Sequence, residues 1–358
     1  MRTSIGIIGL SVGLTTALAT APSASAQTIA DEFTCAYRFV DLGRPPASVP
    51  APLGGLTFKA GDPNTLLIGG SANQPTAKIY AVTVIRDSSN RITGFGPTAT
   101  VHADAPNIDG GLVYAPGGVL LFSRYNMNNV GQIKPGSTTM DKTVDLNALG
   151  FSGSVGAIMV VPSGFPGAGR FKVLPYNTGF WHDSVLSADG AGTFNISGPT
   201  NTINVGGGPE GIVYVEGTAV LFDAPSVLVS EFATGRVVAY EVDANGDPIV
   251  ASRRVFMTGL GGAEGGTRDP VTGDFLFSTF GGGDRVLVVR GFDPECTANY
   301  NRDCTIDILD FLDFIDDFST CEQAPGPCGA FGDADFNGDT IVDILDFLDF
   351  IDVFSVGC

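Results

Sequence analysis

"GLVYAPGGVLLFSRY" (Gly111–Tyr125) combines a glycine, a short strand pattern, a turn and an apolar strand pattern that ends in Ser-x-aromatic. The same plan returns in "GIVYVEGTAVLF" (Gly211–Phe222) with "LVSEF" (Leu228–Phe232), and again in "GGTRDPVTGDFLFSTF" (Gly265–Phe280). Repeats of ~40–50 residues with about four strands per unit are typical of β-propeller blades. The sequence therefore predicts a mainly β body that resembles a propeller.

The number of blades follows from the glycines that open the repeats. A fainter copy, "GGLTFKAGDPNTLLIGG", spans Gly54–Gly70, and the opening glycines lie at positions 55, 111, 156, 211 and 265. This spacing predicts five or six blades, connected by turns such as Asp243–Asp247, where Asn-Gly favours a hairpin. The last unit is one strand short. "YRFVDL" (Tyr37–Leu42) is expected to complete it and to close the ring, which removes exposed sheet edges.

Negative charge is concentrated near the C-terminus. The chain has a net charge of −19, and between Cys296 and Cys358 thirteen Asp and one Glu stand against a single Arg. This excess disfavours nucleic acid as a partner, because like charges repel before any contact forms. It indicates instead that this region binds cations.

The N-terminus has the pattern of a secretory signal peptide. After one positive charge, an apolar run from Ile5 to Ala19 leads to Ala24-Ser25-Ala26, which matches an A-x-A-like cleavage site. We therefore expect residues 1–26 to be removed, because the run is short for a membrane span of roughly 20 residues. The predicted location is extracellular, either secreted or attached to the cell surface, with no transmembrane span in the mature chain.

Six cysteines in an exported chain indicate disulfide bonds. Cys35 stands alone near the mature N-terminus, whereas the other five lie between Cys296 and Cys358. Two arrangements remain open: Cys35 pairs with a cysteine of the C-terminal region, or one cysteine of that region stays free.

The decapeptide "DILDFLDFID" occurs twice, at Asp307–Asp316 and at Asp343–Asp352. Oxygen-bearing side chains lie at positions 1, 3, 5, 9 and 12 of the loop that leads into each copy, and position 7 offers its backbone carbonyl. These are the positions from which an EF-hand loop coordinates Ca²⁺. The predicted calcium ligands are Asn299, Asn301, Asp303, Thr305, Asp307 and Asp310 in the first loop, and Asp335, Asn337, Asp339, Ile341, Asp343 and Asp346 in the second.

A helix is predicted directly after each loop. In the first helix, the spacing places Ile308, Phe311, Leu312 and Ile315 on one face, and this face is expected to join the two helices. The acidic residues Asp310, Asp313 and Asp317 are expected on the opposite, solvated face. The alternative is an acidic amphipathic tail without metal, but charges of one sign at this density repel each other when no cation is present.

The two loops differ from each other in their expected strength. Position 6, usually Gly for its sharp turn, is Cys304 in the first loop and Thr340 in the second. Side chains are costly at positive φ, so we expect a different bend or weaker binding. Position 1 is Asn299 in the first loop and Asp335 in the second, so the second loop is expected to bind Ca²⁺ more tightly.

Two half-EF-hand copies, each without a helix before its loop, resemble a dockerin domain. The likeness is closest to bacterial dockerin-like modules with a Gly-Cys ending, here Gly357-Cys358, and it covers residues 294–358. It implies calcium-dependent folding and docking through loop positions 10 and 11, here Ile308-Leu309 and Ile344-Leu345. The implied partner is a cohesin-like protein or a cell-envelope protein, and the two remain alternatives.

The body, residues 27–293, resembles propellers of the lactonase and NHL types. The resemblance is carried by "GPEGIVY" (Gly208–Tyr214) and "GAEGG" (Gly262–Gly266). In lactonase-like propellers an acidic residue on an inner strand helps to hold a central divalent metal, which the resemblance implies for Glu210 and Glu264. The simpler interpretation is that these segments only turn the chain into an inner strand.

"FWHDS" (Phe180–Ser184) is a second place where the body could carry chemistry. Trp181, His182 and Asp183 together could stack a sugar or position a base. Without an identifiable nucleophile, a packing role is the simpler interpretation, and no catalytic residue is assigned.

Two classes of function therefore remain. In the first, a five- or six-bladed β-propeller-like body recognises or displays a glycan or small molecule, and a small α-helical calcium module attaches it to its partner. In the second, the body is a hydrolase or lyase, lactonase-like or glycan-active, whose central metal lies near Glu210 and Glu264. An enzyme needs several polar residues that converge on the propeller axis, so the lining of that axis distinguishes them.

Overall fold

The computed structural model describes residues 26–292, 297–301, 304–321 and 334–357. The expected signal peptide, except Ala26, lies outside these ranges, as do the predicted ligand Asp303 and the terminal Cys358. Within the described ranges, no helix is both long enough and apolar enough to span a membrane.

The body is built from antiparallel strands that form five successive sheets. Two short strands come first, β1 (Thr28–Ile29) and β2 (Arg38–Asp41). The first blade consists of β3 (Leu53–Lys59), β4 (Asp62–Gly70), β5 (Lys78–Arg86) and β6 (Ile92–Asp104). The second blade consists of β7 (Ile108–Ala115), β8 (Val119–Arg124), β9 (Asn129–Ile133) and β10 (Lys142–Asp145).

The remaining three blades follow the same plan with additions. The third contains β11 (Val155–Val160), β12 (Phe171–Pro175), β13 (Phe180–Ser184) and β16 (Asn201–Asn204), and a hairpin of β14 (Leu186–Ala188) and β15 (Phe194–Ile196) is inserted into it. The fourth contains β17 (Pro209–Val215), β18 (Ser226–Glu231), β19 (Arg236–Glu241) and β20 (Arg254–Thr258), with β1 added at its outer edge. The fifth contains β21 (Ala263–Arg268), β22 (Phe275–Thr279) and β23 (Val286–Arg290), completed by β2.

The five sheets form a closed ring. Strands β3, β7, β11, β17 and β21 are the innermost strands, and each packs beside the next until β21 meets β3 again. They carry the five glycines that open the sequence repeats, so the body is a β-propeller with five blades. The predicted closure is also confirmed, because β2 pairs with β23 with Phe39 opposite Val289.

The glycines are required because the inner strands approach each other closely around the axis. A Cβ atom on Gly110 would lie 2.0 Å from the carbonyl oxygen of Glu210, and one on Gly211 would lie 2.3 Å from that of Glu264. These distances are far below van der Waals contact. A side chain at Gly211 would push blades four and five apart, and one at Gly110 would push β7 away from β17 across the axis.

Apolar side chains fill the space between adjacent blades. Each of five large clusters of buried residues spans one blade–blade interface, and together they account for most of the core. Between blades four and five, for example, Phe256 and Phe275 are both fully buried. Burial of this kind contributes about 25 cal/mol per Å² and holds the ring together.

Buried ion pairs cross two of these interfaces. Lys172 of blade three is fully buried, and its Nζ lies 2.7 Å from Asp183 Oδ1 and 2.5 Å from Asp247 Oδ1 of blade four. Arg86 of blade one donates two hydrogen bonds to the Asp269 carboxylate of blade five, at 2.7 and 2.8 Å.

The C-terminal module contains two helices, α1 (Ile308–Cys321) and α2 (Ile344–Val356). The rings of Phe314 and Phe350 stack between them with centroids 4.1 Å apart. Other aromatic and apolar side chains surround this pair: Tyr300, Phe311, Ile315, Phe318, Phe336, Phe347, Ile351 and Phe354. The predicted helices are therefore present and pack against each other.

The prediction of which residues face the core was partly wrong. Phe311 and Ile315 do pack between the helices, but Ile308 and Leu312 are 61% and 52% exposed. Asp310 and Asp317, expected in solvent, are buried. The core face is centred on Phe314, which is fully buried and stacks on Phe350 of α2.

A disulfide bond joins Cys35 to Cys304 across 269 positions of the sequence. Of the two arrangements left open by the sequence, it confirms that Cys35 pairs with a cysteine of the C-terminal region. Cys321 also takes part in a disulfide. The module is therefore covalently tied to the N-terminal segment beside the propeller.

Candidate functional site

Three carboxyl groups converge where the inner strands begin. Asp109 lies on β7, Glu210 on β17 and Glu264 on β21, each directly before a glycine. One oxygen from each carboxyl lies within 4.8 Å of the others, and the three residues are only 2%, 3% and 1% exposed. We call these three residues the axial trio.

The space beside Glu210 exists because a neighbouring position is glycine. A Cβ atom on Gly156 of β11 would lie 2.4 Å from Glu210 Oε2 and 2.5 Å from the carbonyl oxygen of Pro209. Blade three thus contributes an empty side-chain position that accommodates the carboxyl of blade four.

The axial trio forms the floor of a cavity of about 220 Å³. The cavity is lined by Asn73, Asp109, Tyr125, Tyr176, Glu210, Phe232, Glu264 and Phe280. None of these lining residues is basic, and in the described part of the chain Asp109 Oδ2, Glu210 Oε2 and Glu264 Oε1 have no hydrogen-bond partner. Buried charge without a partner is costly, so this arrangement is unfavourable unless protons or another cation neutralise it.

The electrostatic consequence is a raised pKa for each member of the trio. Burial raises the pKa of Asp109 to about 7, although nearby Asn73 and the two Glu side chains act in the opposite direction. Burial and then the charges of Asp109 and Glu264 raise the pKa of Glu210 well above its ordinary value. Burial and then the charge of Asp109 do the same to the pKa of Glu264.

Four aromatic rings surround the mouth of the cavity. Tyr125, Tyr176, Phe232 and Phe280 come from four successive blades, each just after the second strand of its blade. Neighbouring rings meet edge to face, with centroids 6.0, 5.7 and 5.9 Å apart. We call these four residues the aromatic collar. From blade one, Asn73, three residues after β4, lines the same cavity.

The Ser-x-aromatic motif of the repeats explains how three of the collar residues, Tyr125, Phe232 and Phe280, are positioned. Ser123 Oγ accepts a hydrogen bond from the Gly111 amide at 2.8 Å and donates one to the Gly156 carbonyl. Ser278 Oγ donates to the Gly54 carbonyl at 2.8 Å. The serine fastens the second strand to inner strands, and the aromatic residue two positions later reaches the axis.

A larger cavity, of about 670 Å³, lies towards the opposite ends of the inner strands. Its charged lining residues are already paired, since Arg268 contacts Glu216 and Asp269 contacts Arg86. The axial-trio oxygens that lack a hydrogen-bond partner among the described residues therefore line the smaller axial cavity and not this one.

"FWHDS" lies on the buried strand β13 and not on a surface loop. Trp181 is fully buried and donates from Nε1 to Asp247 Oδ1 at 2.8 Å, and His182 packs against Phe151 and Phe180. Burial raises the pKa of Asp183 on its own, but hydrogen bonds from Arg170 and Lys172 dominate and lower it to about 2. A buried Trp181 cannot stack a sugar, so these residues serve packing.

In the C-terminal module, the aspartate at loop position 12 organises each predicted calcium loop. Asp346 accepts hydrogen bonds from the amides of Asn337 at 3.0 Å and Asp343 at 2.8 Å. In the first loop, Asp310 accepts from the amides of Asn301 at 3.1 Å and Asp307 at 2.8 Å. Both loops thus have the same backbone arrangement.

The turn at position 6 is present although glycine is absent. Cys304 and Thr340 have φ values of 69° and 77°, so the expectation of a different bend is not met. At position 1 of the first loop, Asn299 is buried, and its Oδ1 has no hydrogen-bond partner among the described residues. Thr305 and Ile341, at position 7, are exposed.

The residues at positions 10 and 11 lie on the surface of both helices. Ile308 and Leu309 are 61% and 50% exposed, and Ile344 and Leu345 are 60% and 52% exposed. Leu312 and Leu348, one turn further, are also about half exposed, at 52% and 51%. This exposure shows that they do not serve only to fill the core of the module. We call these six residues the paired apolar patches.

The sequence pointed to Glu210 and Glu264 but not to Asp109, Asn73 or the aromatic collar. Aligning the repeats by their opening glycines puts Gly110, and not Asp109, at the position of the two glutamates. The pairing of β7 with β8 is irregular between Ile108 and Leu112, which shifts Asp109 by one position. An acidic residue directly before glycine in three copies was the available signal.

Comparison with known proteins identifies no family. No family model matches the chain, and no curated protein does. The PQQ domain of pyranose dehydrogenase from Coprinopsis cinerea aligns with a TM-score of 0.41 and 10% identity, over 74% of this chain and 97% of that domain.

Two further solved structures have a similar degree of likeness. An auxiliary nutrient binding protein from Bacteroides ovatus aligns with a TM-score of 0.40 and 12% identity, over 66% of this chain and 58% of that protein. PQQ-bound aldose sugar dehydrogenase from Streptomyces coelicolor aligns with a TM-score of 0.37 and 13% identity, over 70% of this chain and 83% of that enzyme.

Proposed function

We propose that this chain is an exported recognition protein, whose propeller binds a small cationic ligand in the axial cavity and whose C-terminal module attaches it to a surface partner. The observation that carries the proposal is the axial trio: three buried carboxyl groups with unpartnered oxygens that face an open cavity. Ligand pockets combine apolar walls with a few converging polar groups, as this cavity does.

A cation fits the floor of the cavity because the carboxyls of the trio, once deprotonated, offer only acceptors. The oxygens of the trio and Asn73 Oδ1 have no donor opposite them in the part of the chain that the structure describes. An anion would add repulsion, and a neutral molecule would leave protons as the only means of neutralising the carboxyls. A positive group supplies both the donors and the neutralising charge.

Calcium binding by the C-terminal module is part of the proposal. The donor set is oxygen-rich, as Ca²⁺ requires, and the unpartnered Asn299 Oδ1 lies where a first ligand is expected. Asn299, Asn301, Asp307 and Asp310 would hold one ion with the carbonyl of Thr305, and Asp335, Asn337, Asp339, Asp343 and Asp346 the other with the carbonyl of Ile341. Bound calcium would neutralise the loops so that the helices can pack.

The paired apolar patches are the proposed attachment surface. Each helix exposes the same three apolar side chains at matching positions, which is unusual for residues that have no partner. Two like patches would let a cohesin-like or envelope protein dock in either of two orientations.

An enzyme remains the second candidate, favoured by one observation. Burial brings the pKa of Asp109 to about 7, close to the value that suits a general acid or base at neutral pH. In a hydrolase or lyase of this kind, the trio would act on a substrate held at the aromatic collar.

The recognition function is tested by cation-induced stabilisation of the full chain. With calcium present throughout, a cation that occupies the cavity at a concentration of 100 Kd is expected to stabilise the propeller by about 2.7 kcal/mol, a rise in Tm of roughly 5–10 °C. Glu264→Gln should abolish the rise, whereas Glu241→Gln, an exposed residue of β19, should keep it. If neither metal ions nor organic cations shift the Tm of the wild type, the proposed function is wrong.

A further inference from the structure

The shape of the axial cavity selects among cations. Resting on the proposed function that this cavity binds a cation, we propose that its ligand is a primary ammonium group on a slender alkyl chain. The nitrogen would lie among the three carboxyl groups of the axial trio, and the chain would leave along the propeller axis through the aromatic collar.

The donors of a primary ammonium match the acceptors of the floor in number. The group has three N–H donors and no acceptor, and the trio presents three unpartnered carboxyl oxygens, Asp109 Oδ2, Glu210 Oε2 and Glu264 Oε1. Charge-assisted N–H···O bonds of ~2.8 Å with tetrahedral angles would separate three such oxygens by about 4.6 Å. The trio offers one oxygen from each carboxyl within 4.8 Å of the other two.

The volume above the trio fits an alkyl chain better than a bare ion. The cavity holds about 220 Å³, whereas one water molecule occupies about 30 Å³ of liquid volume. A metal ion held by the trio would leave most of this space to water. A chain of four or five carbons attached to the ammonium would fill it.

The collar has the chemistry of such a chain. Phe232 and Phe280 offer no oxygen to the water shell of a metal ion, and all four rings offer apolar surface to methylene groups. Aromatic rings also attract an organic cation, by roughly 0.5–2 kcal/mol when water is excluded. A quaternary ammonium would gain this attraction but would leave the three acceptors without N–H donors.

A primary alkylammonium group can belong to a free amine or to a lysine side chain, and the test distinguishes these two sources. The probes are n-butylammonium for a free amine and Nα-acetyl-lysine methylamide for a lysine side chain. Butyltrimethylammonium has the same chain without N–H donors, and Mn²⁺ and Zn²⁺ are the metal arms. Each is titrated by calorimetry into the calcium-saturated full chain at neutral pH.

The expected result is that at least one primary ammonium binds and that butyltrimethylammonium binds at least tenfold more weakly. Glu264→Gln, which removes one charged acceptor, should weaken binding by roughly 10- to 100-fold. Tyr176→Ala should weaken it by about 3- to 10-fold through the collar, and Glu241→Gln should leave it unchanged. Preference for the lysine derivative would identify a peptide ligand, and preference for butylammonium a free amine.

Three outcomes would overturn the inference. Equal binding of the trimethyl analogue would show that N–H donation is not used. Binding of Mn²⁺ or Zn²⁺ that depends on Glu264, without any amine binding, would replace the ammonium by a metal while the proposed function stands. Absence of binding by every amine and every metal would remove the proposed function as well.

Discussion

Removing calcium is expected to unfold the C-terminal module while the propeller stays folded. The described loops place many carboxylates close together, and Asp310 and Asp346 are fully buried. Without cations these charges repel, and the small aromatic core around Phe314 and Phe350 is not large enough to offset them. Chelation of the full chain should therefore remove the helical circular dichroism signal of α1 and α2 and release the protein from isolated cell envelopes.

Substitutions distinguish the two loops. Asp346→Ala should lower the calcium affinity of the second loop by tenfold or more, because it removes both a proposed charged ligand and the acceptor for two backbone amides. The second loop is expected to be the tighter site, because the first begins with Asn299 instead of Asp. Asp310→Ala, in the first loop, should therefore reduce the calcium affinity of the second loop less than Asp346→Ala does. Asp352→Ala, exposed on α2, is the control and should change nothing. Identical melting curves with calcium and with chelator would refute calcium-dependent folding.

The second large effect is expected at Lys172. This residue is fully buried between Asp183 of blade three and Asp247 of blade four. Lys172→Ala leaves one of two buried carboxylates, that of Asp247, without a cationic partner, and breaking a buried pair in this way costs about 3–5 kcal/mol. Denaturant unfolding measures the loss, and Lys59→Ala, at an exposed position, should change stability by less than about 0.5 kcal/mol.

A compensating variant tests the physical reason. Lys172→Met with Asp247→Asn keeps the volume and removes the stranded charge, so it should recover a large part of the lost stability. Asp183 remains paired with Arg170 in this variant. If Lys172→Ala cost less than about 1 kcal/mol, the ion pair would not hold blades three and four together.

The propeller was predictable because its signals are local. Glycine is needed where inner strands nearly touch, as at Gly211, and it therefore marks every blade at a regular interval. The missing strand of the last repeat had one possible substitute, the segment that became β2. Both features depend on short stretches of sequence and on the rule that sheet edges should be covered.

The axial site was only half predictable because it is assembled from distant parts of the chain. Asp109 and Glu264 are brought together by ring closure, which no local pattern describes. Tyr125, Phe232 and Phe280 each end a Ser-x-aromatic motif, whereas Tyr176 follows Leu174-Pro175 and carries no such signal. The convergence of all four rings on one cavity depends on five-fold geometry. In the helices, both faces of "DILDFLDFID" are apolar enough to be the core, so periodicity could not separate the buried Phe314 from the exposed Leu312.

The most direct measurement of the central claim is the pH dependence of the unfolding free energy, compared between the wild type and Glu264→Gln without a cationic ligand. Burial raises the pKa of all three trio carboxyls, that of Asp109 to about 7, so the native state binds more protons than the unfolded state between about pH 4 and 7. Stability is then full below the unfolded pKa values and falls as pH rises, by about 1.4 kcal/mol per pH unit for each such group. Asp183, whose pKa is lowered to about 2, acts in the opposite direction and only below about pH 4.

The account predicts that the wild type loses stability from pH 4 to pH 8, that Glu264→Gln loses less, and that the variant is the more stable of the two at pH 8. Equal slopes for the two proteins, or a variant that is less stable at pH 8, would contradict the claim that the axial carboxyls are buried and uncompensated.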